Sequence, residues 1–179
     1  MISRDNAVLV VVDIQGKLAE IMNEKEQLIR NAKIMITGAK ELGLPIIWME
    51  QVPEKLGATN HEVASCLEGN SPINKVSFSC CGNLEFVNKL RELKKEFVII
   101  IGIETHVCVY QTVVDLIRLN YKVILVKDAT SSRTIENKNL GVEIIRDAGA
   151  KITGTETILF QLLKRADDDC FRTISKLVK

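Results

Sequence analysis

Apolar and polar positions follow two rhythms along this chain. Short unbroken runs of mostly β-branched residues, Ala7–Val12 (AVLVVV) and Phe97–Ile101 (FVIII), are too short for helices. They read as strands buried on both faces of a parallel sheet. Pro45–Met49, Lys122–Lys127 and the short Ala150–Thr153 are further strands. Elsewhere apolar residues recur at helical spacing. Leu28, Ala32, Met35, Ala39 and Leu42 form a stripe over Gln27–Leu42, ended by Gly43 and Pro45. Leu84, Val87, Leu90 and Leu93 make one face of a second helix, and Val109, Val113, Leu116 and Ile117 that of a third. Asn137–Ala148 and Thr155–Lys164 complete the helices.

Strand and helix thus alternate about five or six times, which predicts an α/β fold. Its form is a three-layer α/β/α sandwich around a mostly parallel, about six-stranded sheet. Residues 1–179 read as a single domain. Glu50–Ile73 carries two of the three prolines and no sustained period. It reads as a surface loop or lid with a helical turn near Glu62–Leu67, and loops of this length are usually functional. The tail over residues 165–179 is amphipathic, a candidate for packing on a partner subunit.

Composition narrows the function. With 24 basic and 23 acidic residues, no nucleic-acid or anionic-membrane surface is expected. Apolar runs fall far short of the ~20 residues needed to span a bilayer. MISRDNAV contains no apolar signal region, so secretion is not expected. Five cysteines, an odd number without CxxC spacing, fit a reduced, cytoplasmic setting. No GxGxxG follows a strand, which argues against a dinucleotide-binding domain.

Candidate chemistry gathers at strand ends. Asp13 closes the first strand, where open α/β sheets place their ligands, although a turn cap explains it equally well. Thr105 is a candidate N-cap, which puts Cys108 near the third helical position, where free N–H groups and the helix dipole favour a thiolate. Alone, a small buried core residue is the commoner role for such a cysteine. Lys75, in INKVSFS, has no standing by itself. The polar loop Asp128–Arg133 (DATSSR) follows another strand. Four polar elements therefore approach one edge of the sheet.

VVVDIQ with Asp13, INKVSFS with Lys75, GIETHVCV with Cys108, and DATSSR together resemble the isochorismatase-like cysteine hydrolases. The resemblance covers nearly the whole chain, and MEQVPEKLG and ISKLVK look closest to the isochorismatase-domain-containing branch. It implies Cys108 as nucleophile, Asp13 as its general base and Lys75 beside both. It also implies an oxyanion hole from the backbone N–H groups of Glu104 and Cys108, with a cis peptide between Ile103 and Glu104. Gln51, Phe78, His106 and Ser132 become the candidate substrate-binding residues. A thiol of pKa about 8.5 is scarcely ionised at neutral pH, so it needs the proton acceptor and cation such a site supplies.

Many nicotinamidases of this superfamily hold a metal through an Asp-x-His motif. Here Trp48–Val52 reads WMEQV, and the only histidines are His61 and His106, so no metal or other cofactor is expected. Enzymes that cleave isochorismate generally lack the nucleophilic cysteine. Cys108 points instead to hydrolysis of a small amide or related C–N bond through a thioester, in a homo-oligomer of two or more subunits. The alternative is a non-catalytic binding or redox-sensitive domain that keeps the fold.

Overall fold

The computed structural model describes residues 1–179. The chain runs β1 (Ala7–Val12), α1 (Gly16–Glu20), α2 (Lys25–Glu41), β2 (Ile46–Gln51), α3 (Pro53–Leu56), α4 (His61–Cys66), β3 (Ile73–Lys75) and α5 (Leu84–Leu93). It continues through β4 (Phe97–Ile103), α6 (Tyr110–Arg118), β5 (Lys122–Ser131), α7 (Ile135–Asp147), β6 (Lys151–Thr153), α8 (Thr155–Leu163) and α9 (Phe171–Leu177). The strands form one parallel sheet in the order β3–β2–β1–β4–β5–β6.

Every residue of β1 and β4 is buried. Alternation along the strands divides the core into two layers. Ala7, Leu9 and Val11 of β1 pack with residues of α2, α8 and α9, while Val8, Val10 and Val12 pack with α5, α6 and α7. A fully buried Val, Leu or Ile contributes roughly 1.5–3 kcal/mol, so covering both faces of the sheet fixes these runs as strands. β4 approaches β1 closely at Gly102, which has φ +128°; a Cβ there would lie 2.0 Å from the Val12 carbonyl oxygen. Only glycine fits.

The structure departs from the sequence pattern at four places. β5 continues to Ser131 instead of ending at Lys127, because after a bulge Thr130 and Ser131 pair with Gly102 and Ile103. The polar residues read as loop become strand once β4 offers them a partner. Thr105 is not an N-cap: a π-helical turn over Thr105–Val109 leads into α6, and the Thr105 hydroxyl donates to the Ser131 carbonyl at 3.0 Å. Leu84 leaves the buried face of α5, being 79% exposed, and Phe86 takes its place in the core. The Glu50–Ile73 segment holds α3 as well as the expected helical turn, now α4.

The C-terminal tail turns inward. Ile174 of α9 is fully buried among core residues of α2 and α8, and the Phe171 ring lies 6.5 Å from that of Phe160. Its apolar side is thus covered by its own subunit.

Candidate active site

The sheet order reverses between β1 and β4, since β2 and β3 extend to one side and β5 and β6 to the other. Open α/β sheets bind ligands at such a switch point, beyond the carboxyl ends of the strands. Asp13 follows β1 and Cys108 follows β4, and Lys75 is the last residue of β3. Asp13 takes φ +51°, an uncommon value for a residue with a side chain, immediately where β1 ends.

Asp13 and Lys75 are each 2% exposed. Lys75 Nζ donates to Asp13 Oδ2 at 2.6 Å, to the Gln51 amide oxygen, and to the carbonyls of Phe78 at 3.0 Å and Ser77 at 3.2 Å. Gln51 and Lys75 are register partners across β2 and β3, which sets their side chains at the same sheet edge. Asp13 Oδ1 is buried and has no hydrogen-bond partner. A buried acceptor left open in this way is costly unless something is to occupy it.

The ionisation of Cys108 is tied to this pair. Burial, and then the negative charge of Asp13, push the Cys108 thiol up from an ordinary 9.0 to about 12, while Lys75 pulls the other way. The sequence placed this sulfur where a helix terminus favours the thiolate; burial and the nearby carboxylate outweigh that, so at rest it is a thiol. Asp13 is itself raised above the usual carboxylate range, by burial first, against the pull of Lys75. A resting thiol that interacts with a buried carboxylate carrying one unpartnered oxygen is a proton donor near a possible acceptor.

The turn that carries Cys108 is held from three sides. Thr112 donates its hydroxyl to the Cys108 carbonyl at 2.7 Å and accepts the Cys80 N–H at 2.9 Å. The Glu104 carbonyl accepts from the N–H groups of Val107 and Val109, on either side of Cys108. Gly141 of α7 lets that helix lie against the turn, since a Cβ there would stand 2.7 Å from the backbone nitrogen of His106. The Ile103–Glu104 peptide is cis, and the Glu104 N–H is given to no backbone carbonyl.

The remaining expected residues divide. His106 Nδ1 lies 3.0 Å from the Ser132 hydroxyl, which ties the turn that carries Cys108 to the end of β5. Phe78 holds Lys75 through its carbonyl, and the residue is itself 55% exposed. Gln51 uses both ends of its amide within the protein, the oxygen on Lys75 and the nitrogen on the Val76 carbonyl at 2.7 Å. Asp128 points away from this edge and caps α8, its Oδ1 accepting from the Thr155 N–H at 2.8 Å and hydroxyl at 2.9 Å.

Three contributors escaped the sequence. Gln15 grips β2 from below the site, accepting the Gln51 N–H at 2.6 Å and donating to the Gln51 carbonyl at 3.1 Å. Its place two residues after Asp13 in VVVDIQ is the signal that could have found it. Arg133 donates its side-chain Nε–H to the Glu104 carboxylate at 3.0 Å, and the Thr112 hydroxyl links the Cys80 N–H to the Cys108 carbonyl. Neither stands out by spacing alone.

Acid, ammonium and thiol thus stand at the switch point of a parallel sheet covered on both faces, the arrangement of an α/β fold whose polar residues gather beyond its strand ends. The chain belongs to the isochorismatase family: the isochorismatase domain model matches residues 7–157. It is 35% identical over 178 residues to a secreted isochorismatase effector of Phytophthora sojae, with 97% of this chain and 85% of that one covered. Among solved structures it resembles the MAR1 ribonuclease of Caenorhabditis elegans, at TM-score 0.93 and 34% identity over 99% of this chain and 91% of that one. It also shares the fold of the YcaC gene product of Escherichia coli, described as an octameric hydrolase of unknown specificity, at TM-score 0.92 and 20% identity over 98% and 88% of the two chains. No helix is long and apolar enough to cross a membrane.

Proposed function

We propose that the protein is a cysteine hydrolase of a small amide or related C–N bond. The observation that carries this reading is Asp13, whose Oδ2 is held by Lys75 while Oδ1 stays open and whose charge acts on the Cys108 thiol. The thiol proton passes to Asp13 Oδ1 as the sulfur attacks the carbonyl carbon. The C–N bond then breaks, Asp13 returns the proton to the leaving nitrogen, and a Cys108 thioester remains. Water, activated by the same carboxylate, hydrolyses the thioester to the acid and restores the thiol. The Glu104 and Cys108 N–H groups serve the developing oxyanion, a role in which each donor is worth about 2.7–4 kcal/mol. Lys75 supplies the fixed positive charge.

Cys108 is 9% exposed, which favours a substrate of few atoms. His106, Ser132 and the Phe78 ring are the surfaces it would meet. The ribonuclease relative suggests RNA as a competing substrate, but 24 basic against 23 acidic residues and a shielded sulfur favour the small amide. Five unpaired cysteines support a reducing, cytoplasmic setting, and exposed Val76 and Phe78 beside the site support assembly as a homo-oligomer.

Cys108→Ala should abolish turnover across a panel of small amides while leaving the thermal unfolding midpoint near that of the parent. Limited treatment with acrylamide, followed by peptide mass spectrometry, should show one adduct forming ahead of the others, on Cys108. Equal labelling of the accessible cysteines, with Cys108 no faster, would sink the proposal.

A further inference from the structure

Lys75 presents a mismatch of number. An ammonium has three N–H donors, yet four oxygens surround this one: Asp13 Oδ2, the Gln51 amide oxygen and the carbonyls of Ser77 and Phe78. Its side chain is fully shielded from solvent. Beside it, the other oxygen of the same carboxylate is buried and bonded to nothing. A free ammonium next to a carboxylate readily shares its protons between both oxygens. Something keeps this one on a single oxygen.

We propose that Gln51 is a positioning residue that reserves Asp13 Oδ1 for the thiol proton. Its amide oxygen draws Lys75 Nζ to the β2 side, and its amide nitrogen is anchored on the Val76 carbonyl at 2.7 Å, so it cannot turn away. The main chain of Gln51 is fixed as well, clamped by Gln15 through two hydrogen bonds. With the two carbonyls taking the rest of its hydrogen-bonding capacity, the ammonium neutralises Asp13 from one side only. Without the amide, Nζ is free to bridge both carboxylate oxygens, and the base loses the oxygen left open for the thiol proton. This inference rests on Asp13 acting as the base for Cys108.

The charges bearing on these groups are few. Asp13 feels Lys75, Cys108 and Glu50, and Cys108 feels Asp13, Lys75 and Glu104. Glu50 is engaged by the Thr59 N–H and hydroxyl, both at 2.7 Å, and Glu104 by Arg133. His106 is paired with Ser132. None of these contacts includes the Gln51 side chain, so its removal acts through Lys75.

The test follows acrylamide addition to Cys108, resolved by peptide mass spectrometry across pH, and needs no knowledge of the substrate. Gln51→Met keeps the length of the side chain and removes the acceptor. It should slow labelling at neutral pH about tenfold and move the profile up by about one pH unit. In a Lys75→Met background there is no ammonium to misplace, so adding Gln51→Met should change nothing further. A wild-type profile for Gln51→Met overturns the proposal, as does an effect that persists without Lys75, which would mark a merely structural role. Should Gln51→Met not fold, Gln51→Asn, which withdraws the acceptor by one methylene, is judged by the same two outcomes. Asp13→Asn separates the levels: if it leaves labelling untouched, the assignment of the base fails. If it suppresses labelling while Gln51→Met does not, only the role of Gln51 falls.

Discussion

The open groove beside α2 and the narrow corner where β1, β3 and β4 end handle charge in opposite ways. The groove, of about 900 Å³, is lined by acidic and basic residues such as Glu20, Lys25, Lys33 and Glu62. These pair as Lys25–Glu20 at 2.9 Å and Lys33–Glu62 at 2.7 Å, with side chains 39–54% exposed. Water already solvates them, and pairs of this kind are worth about 0–1 kcal/mol. The corner holds a single ion pair, Lys75–Asp13, with side-chain exposures of 0% and 2%. There each charge depends on the other, and one oxygen is left open. Volume marks the first region and unmet valence the second, and only unmet valence is a chemical property.

Breaking the buried pair should have the largest effect. Lys75→Met strands a buried carboxylate and should cost about 3–5 kcal/mol in urea unfolding at neutral pH. Because Asp13 is already raised by burial, that loss should shrink as the pH falls and the orphaned acid takes up a proton. A surviving full stability at neutral pH would show that the corner is less dry than its geometry says.

Alkali gives the next effect. The folded chain keeps the Cys108 proton until about pH 12, whereas the unfolded chain releases it near 9.0. A group raised in this way contributes stability below its unfolded value and loses it as pH climbs through the folded one. Stability should therefore decline between these limits, and Cys108→Ala should flatten the decline by up to one proton's worth of slope. An unchanged slope would mean that this thiol is not held back by the fold.

Two smaller substitutions sharpen the contrast. Arg133→Ala takes the cation from Glu104, whose charge already opposes the Cys108 thiolate, so labelling of that cysteine should slow about two- to threefold. Lys33→Ala, in the groove, should change stability by less than about 0.5 kcal/mol and leave labelling alone. If the groove substitution proves the more damaging, the contrast between the two regions is inverted.

What was legible in the chain follows the same division. AVLVVV and FVIII announced buried parallel strands because covering both faces leaves no polar position to blur the pattern. Asp13, Lys75 and Cys108 were visible as motifs in order, and Asp13 and Lys75 do meet. The part taken by Gln51 was not visible, since its partner lies 24 residues onward and only the β2–β3 register sets them side by side. Thr105 has the composition of a cap, but docking of the turn beneath Gly141 and the pull of the Ser131 carbonyl decide its use. DATSSR looked like a loop because strand pairing is a property of the neighbour, here the end of β4. Local pattern reports what a residue prefers alone. Burial and pairing report what surrounds it.

The seam between β1 and β4 has one more consequence. Asp13 and Lys75 belong to the half of the sheet completed before residue 94, and Cys108 to the half begun after it. The three side chains can come together only where the two halves meet along the six residue pairs of β1 and β4. Under the proposed mechanism, the reactivity of the Cys108 sulfur would therefore report that the two halves of the sheet have met.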